Sequence, residues 1–124
     1  MFIEGLAFAA RGNVMLQLAG VGYILRLALW QRGIPYREIT PNQAKKFLTG
    51  KGQSEKNLIL LKTFQKYGIA CEDDNVADAI NCNMIGRAAL GWAAPANEAE
   101  RAVVAELNRA LQVKVKKPRK PKAA

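Results

Sequence analysis

Apolar residues along the chain change period several times, and the changes mark its elements. Phe2 to Phe8 opens as a short apolar strand interrupted by Glu4. Gly12 and Asn13 break the pattern, with Asn13 in the position of a helix cap. Val14, Leu18, Val21, Leu25 and Leu29 then recur at three- and four-residue spacing, the period of a helix that stops at Arg32-Gly33. Arg26 and several glycines interrupt the apolar run Val14 to Trp30, which suits a buried helix better than a membrane span. Gly20 and Gly22 cost such a helix stability, and close packing against a neighbouring element would explain them. Ile34 to Ile39 reads as a second strand, with Pro35 at its beginning because proline cannot donate to a central ladder.

The second half is helical. Thr40 caps a short helix with Pro41 in its first position and Leu48 near its end. Ser54 is placed as the cap of the next helix, which carries Leu58, Leu61 and Phe64 and closes at Tyr67-Gly68. An acidic cluster, Cys71-Glu72-Asp73-Asp74-Asn75, runs into an Ala-rich helix that extends toward Leu90. A last pattern, Asn97 to Leu111, has a narrow apolar stripe of Val103, Val104, Leu107 and Leu111. The order is strand, helix, strand, two short helices, acidic helix, appended helix. That is an α/β arrangement with two strands, too few for a self-sufficient sheet.

Charge changes this picture at one end. The 124 residues carry 19 Lys and Arg against 10 Asp and Glu, a formal charge of +9. Lys114, Lys116, Lys117, Arg119, Lys120 and Lys122 supply six of those cations, with no acid after Glu106, so the remainder is only mildly basic at +3. A Lys/Pro-rich segment of this kind cannot bury area and is expected to be a disordered basic tail over 113–124. A basic balance favours anionic partners, nucleic acid first; a solvated tail without a partner is the plain alternative. Cys71 and Cys82, without any histidine in the chain, read as reduced cytosolic thiols that serve packing rather than a disulfide or zinc site. Met1-Phe2-Ile3-Glu4 has an acid where a cleavable signal would carry positive charge.

Two stretches carry candidate chemistry. Asp74 and Asp78 are spaced i, i+4, so a helix stacks them on one face, one turn apart. Carboxylates so placed repel unless a cation lies between them, and a hard divalent ion prefers their oxygens. The plain reading is that Asp74 or Asn75 caps the helix and the other acids favour its positive end. Glu4 is either a surface-edge residue or a strand-end carboxylate facing a metal. Gly50-Lys51-Gly52 with lysines around it could cradle phosphate through backbone N–H groups, or be a flexible turn; the spacing of a nucleotide P-loop is absent.

Together these stretches resemble the RuvC-type Holliday junction resolvases, crossover junction endodeoxyribonucleases of the ribonuclease-H-like superfamily, in particular the phage-type members. The resemblance rests on Ile3-Glu4 followed by Phe8 to Gly12, the Gly-containing helix Leu16 to Arg32, Gly33-Ile34-Pro35-Tyr36, Pro41 with Lys45-Lys46-Phe47-Leu48-Thr49-Gly50-Lys51-Gly52 and Lys56, and Asp73-Asp74-Asn75-Val76-Ala77-Asp78-Ala79. It implies a ribonuclease-H-like domain over 1–91, truncated at its N-terminus, with an appended helix over 92–112. It implies a nuclease holding two Mg²⁺ ions, with Mn²⁺ as a substitute, through Glu4, Asp74 and Asp78; Asp73 and Asn75 rank behind these as ligands. Relatives place the first helix acid three residues before Asp78, where this chain has Asn75, which leaves Asp74 to serve. Lys45, Lys46, Lys51 and Lys56, with the tail cations Lys114, Lys116, Lys117, Arg119 and Lys120, are the expected DNA contacts.

The same resemblance implies four-way DNA junctions as partners, a homodimer in the complete protein, no membrane, and the cytoplasm of a bacterial or phage-infected cell. The family's first strand carries an Asp-x-Gly-type motif whose aspartate bridges the metals, and no residue before Glu4 supplies one. The expectation is therefore a fragment with little or no activity alone. The rival expectations are a non-catalytic DNA- or junction-binding protein and a helical scaffold without a nucleic-acid role.

Overall fold

The computed structural model describes residues 1–5, 12–52 and 55–109. Its elements are β1 (Phe2–Glu4), α1 (Asn13–Gln31), β2 (Arg37–Ile39), α2 (Pro41–Thr49), α3 (Lys56–Tyr67), α4 (Asp74–Ala89) and α5 (Glu98–Arg109). β1 and β2 pair in parallel, Phe2 with Arg37, Ile3 with Glu38 and Glu4 with Ile39. Parallel neighbours need a crossover connection, and α1 provides it. Backbone bonds from Arg37 N to Met1 O (2.9 Å) and from Gly5 N to Ile39 O (2.7 Å) extend the ladder at both ends. The second edge of β1 has no strand beside it among the described residues.

Local signals explain most of the helix boundaries. The Thr40 side chain accepts from Gln43 N while the Gln43 side chain accepts from Thr40 N, a reciprocal box with Pro41 behind it. Gly50 and Gly68 end α2 and α3 in the left-handed conformation, where a side chain would be strained. Three caps fall elsewhere than the sequence places them. Gly12, not Asn13, precedes α1. Glu55 stands at the cap of α3 without a side-chain bond, and Ser54 lies outside the described residues. Asp73, rather than Asp74 or Asn75, caps α4 by accepting from Val76 N at 2.9 Å.

The core lies under β2 and between the later helices. Ile39, Ala44, Phe47, Ile85, Ala88, Val103 and Leu107 form its main cluster, flanked by Phe2 and Cys82. Leu48, Ile59 and Ala77 form a second cluster joining α2, α3 and α4, with Cys71 against it. Both cysteines are free and half-buried, in packing positions. β1 meets α4 at Gly86, where an added Cβ would lie 2.6 Å from the Phe2 ring. α5 is tied down by Glu100, which is buried, accepts from Lys66 Nζ at 2.7 Å and takes bonds from Ala96 N and Asn97 Nδ2. Lys66 also donates to Phe47 O and lies over the Phe47 and Tyr67 rings.

α1 departs from the expectation of a buried helix. Of its residues only Leu29 is buried, whereas Val21, Ile24 and Trp30 are each about 70% exposed. Gly20 has nothing within 4 Å of where its Cβ would be, so no close neighbour explains that glycine. Nineteen residues with a mean hydropathy of 1.3 also meet the length and composition of a membrane span. Arg26 inside that length holds Glu38 of β2 at 2.6 Å, which fastens the helix to the sheet.

Candidate metal and nucleic-acid site

The C-terminal ends of parallel strands are where α/β proteins open their clefts, and Glu4 stands at that end of β1. It lines a cleft of about 590 Å³ whose other wall is one face of α4, with Asn75, Asp78, Cys82, Asn83 and Arg87 along it and Trp92 beyond. Asn75, Asp78 and Cys82 recur every three or four residues, and Asn83 and Arg87 flank them, so a single stripe of α4 forms the wall.

Electrostatics show which charges share this space. Burial raises the Glu4 pKa first, the Asp78 charge raises it further, and Lys45 opposes both. Burial likewise raises the Asp78 pKa, with Asp74 adding to it and Lys45 and Lys56 opposing. The half-buried Cys82 thiol is pushed up to about 11, by burial and then by Glu4 and Asp78. The Asp78 charge thus acts on both Glu4 and Cys82, groups on two different elements. Asp74 behaves oppositely. Its Oδ2 accepts from Lys56 Nζ at 2.9 Å, and that ammonium holds its pKa below the usual carboxylate range.

The expected site residues therefore divide. Glu4 and Asp78 share the cleft, with Lys45 in electrostatic reach and Asn75 on the wall. Asp74 is engaged with Lys56, and Asp73 is engaged as a helix cap. Lys46, next to Lys45, turns toward α5 and lies 3.7 Å from Glu106. Lys51 is exposed on the turn after α2. The tail cations Lys114, Lys116, Lys117, Arg119 and Lys120 lie outside the described residues, as does the segment Phe8 to Arg11. Arg87 and Trp92 were not singled out by sequence, and Cys82 only as a packing thiol, although the spacing Asp78, Cys82, Gly86 follows the same helix face.

The donor set suits a hard dication in kind, since both cleft carboxylates are destabilised by burial and by like charge, which a bound cation would relieve. It is incomplete in number: among the described residues no group of three Asp, Glu, Cys or His side chains is close enough to hold a metal ion.

The chain is thus an α/β unit with an acidic cleft at its strand ends. The family model described as "Crossover junction endodeoxyribonuclease RuvC" matches residues 1–85, and the chain belongs to this family. It is 34% identical over 86 residues to the crossover junction endodeoxyribonuclease RuvC of Gloeobacter violaceus, which covers 68% of this chain and 49% of that protein. The chain thus spans about half the length of the curated relative it matches. No solved structure matches it.

Proposed function

We propose that this chain carries part of the active site of a Mg²⁺-dependent endonuclease that resolves Holliday junctions. The observation that carries this reading is the meeting of Glu4 from β1 and Asp78 from α4 in one cleft, with Lys45 acting on both. Glu4 and Asp78 would hold the cation, which when bound supplies Lewis-acid polarisation of a phosphodiester. Lys45 would neutralise the backbone phosphate beside them. The ribonuclease-H-like fold, the phage-type affinity and a cytoplasmic setting belong to the same reading. So does a homodimer of the complete protein, for which the exposed apolar length of α1 is a suitable surface.

In this reading a further carboxylate comes from a strand laid along the free edge of β1, and the residues described here do not cleave alone. The shortage of a third donor in the cleft equally favours a second reading, in which the chain binds junctions without cutting them. The test is cleavage of a four-way DNA junction with Mg²⁺ by this chain and by a version extended with a family-type N-terminal half. The expected result is cleavage by the extended version only, abolished by Asp78→Asn. Robust cleavage by the chain alone would show that the site is already complete. Junction binding without cleavage by a folded extended version would establish the second reading.

A further inference from the structure

Two main-chain carbonyls of α2 accept side-chain donors from other helices. Asn81 Nδ2 of α4 donates to Ala44 O at 2.7 Å, and Lys66 Nζ of α3 donates to Phe47 O at 2.8 Å. Carbonyls three residues apart lie on one side of a helix, so α2 is gripped along a single line. The Ala44 bond is the enclosed one, with Asn81 1% exposed and Ala44 4% exposed. Asn81 Oδ1 in turn accepts from Tyr67 OH of α3 at 3.3 Å, so both ends of the amide have partners.

An amide in such a place gains little for stability, because its hydrogen bonds mainly offset the cost of taking it out of water. An apolar side chain of the same shape would pack there as well. What the amide adds is direction. The apolar clusters that α2 and α4 share tolerate small slides and turns, whereas a hydrogen bond weakens steeply when it is bent or stretched. The bond also falls at a telling place. Ala44 precedes Lys45, and Asn81 lies one turn after Asp78 on α4. The Lys45 charge acts on both Glu4 and Asp78. Its neighbour Lys46 points about 100° away and lies 3.7 Å from Glu106. A turn of α2 about its own axis would therefore take Lys45 from the cleft.

We propose that Asn81 is a positioning residue for Lys45: its amide holds the Ala44 carbonyl, fixes the turn of α2 against α4, and so keeps the Lys45 ammonium at the cleft of Glu4 and Asp78. This rests on the reading of that cleft as part of a nuclease site. It adds to that reading a buried residue that acts on the site only through a neighbouring helix.

The test uses the full chain with ¹³C-labelled lysine and needs neither Mg²⁺ nor DNA. The Lys45 Cε resonance, assigned by its absence from Lys45→Arg, is recorded with and without Asp78→Asn. That substitution is expected to displace the resonance in the parent chain. Asn81→Leu keeps the branching of the side chain and removes the donor, and the displacement should then fall to about half or less, since the interaction of two charges weakens as they separate. Tyr67→Phe removes the other bond of Asn81 and is the comparison: it should lower stability in urea yet leave the displacement at its parental size. A displacement unchanged in Asn81→Leu, or lost equally in Tyr67→Phe, overturns the positioning role and leaves the nuclease reading intact. A Lys45 resonance that Asp78→Asn does not move in the parent overturns the proposal together with the place given to Lys45 in the cleft. If Asn81→Leu does not fold, Asn81→Ala takes its place, and hydrogen exchange of the Asn81 side-chain amide is measured in the parent. Exchange as fast as that of the exposed Asn42 overturns the proposal, and strong protection supports it. Junction cleavage is a separate readout, so an extended version that binds without cutting removes the nuclease reading and leaves these resonances unchanged.

Discussion

The two halves of the chain differ in what their apolar residues touch. From Pro41 onward each helix packs on at least two others: α2 on α3, α4 and α5, and α4 on α3, α5 and β1. Ile85 and Val103 are fully enclosed there. Before Pro41, α1 is the most apolar of the described helices and buries one side chain, Leu29. The difference teaches that apolar periodicity states how much surface wants cover, and says nothing about which body supplies it. In the later half the cover is internal. Along α1 no cover is seen among the described residues, and an apolar helix exposed over this length is the mark of a surface that meets something else.

The sharpest way to break this contrast is to mutate both sides of it. Ile85→Ala should cost about 3 kcal/mol or more in urea unfolding, the usual toll of emptying a closed core position. Ile24→Gln on α1 should stay within about 0.5 kcal/mol and raise solubility. Equal losses from the two would mean that α1 is already covered in solution. A smaller effect sharpens the account of the later half. Glu100→Ala removes the acceptor of a buried ion pair, which commonly costs ~3–5 kcal/mol. Because Lys66 keeps Phe47 O and two aromatic rings, about 2 kcal/mol is expected. The smallest effect concerns the cleft. Glu4 and Asp78 have raised pKa values, so the folded state holds their protons more tightly than the unfolded chain does. Their contribution is favourable at low pH and is lost as pH rises through the interval between the unfolded and the folded pKa. Glu4→Gln should therefore raise the unfolding free energy slightly at pH 7, by ~0.5 kcal/mol or less after solvent screening, and change little in acid, as urea unfolding at the two pH values would read. Asp74, with its lowered pKa, contributes in the opposite sense.

Legibility in the sequence followed the range of the interaction. Thr40-Pro41 and Gly68 act on their own neighbours, and the helix limits they announce are the ones found. The element order and the two strands were likewise readable from the change of period. The directions of Lys45 and Lys46 were not, because adjacent helix residues point about 100° apart and only the packing of α2 decides which one comes within electrostatic reach of the cleft acids. The Lys66–Glu100 ion pair joins α3 to α5, and no local pattern encodes it. The engagement of Asp74 was hidden for the same reason, since its partner belongs to another helix.

The register of the sheet also bears on the order in which the chain assembles. Glu4 reaches the cleft only when Phe2 has found Arg37 across the whole of α1, a distant pairing that must close a long loop before it gains anything. α4, which carries both Asp74 and Asp78, follows α2 and α3 through short connections, and such local contacts form quickly. The acids of α4 are thus in place early, and the strand that completes the pair arrives last. A newly made chain is accordingly expected to pass through a stage in which it is largely folded yet has only one side of its cleft, so protection of the β1 amides from hydrogen exchange should appear late in refolding, after most helical signal has returned.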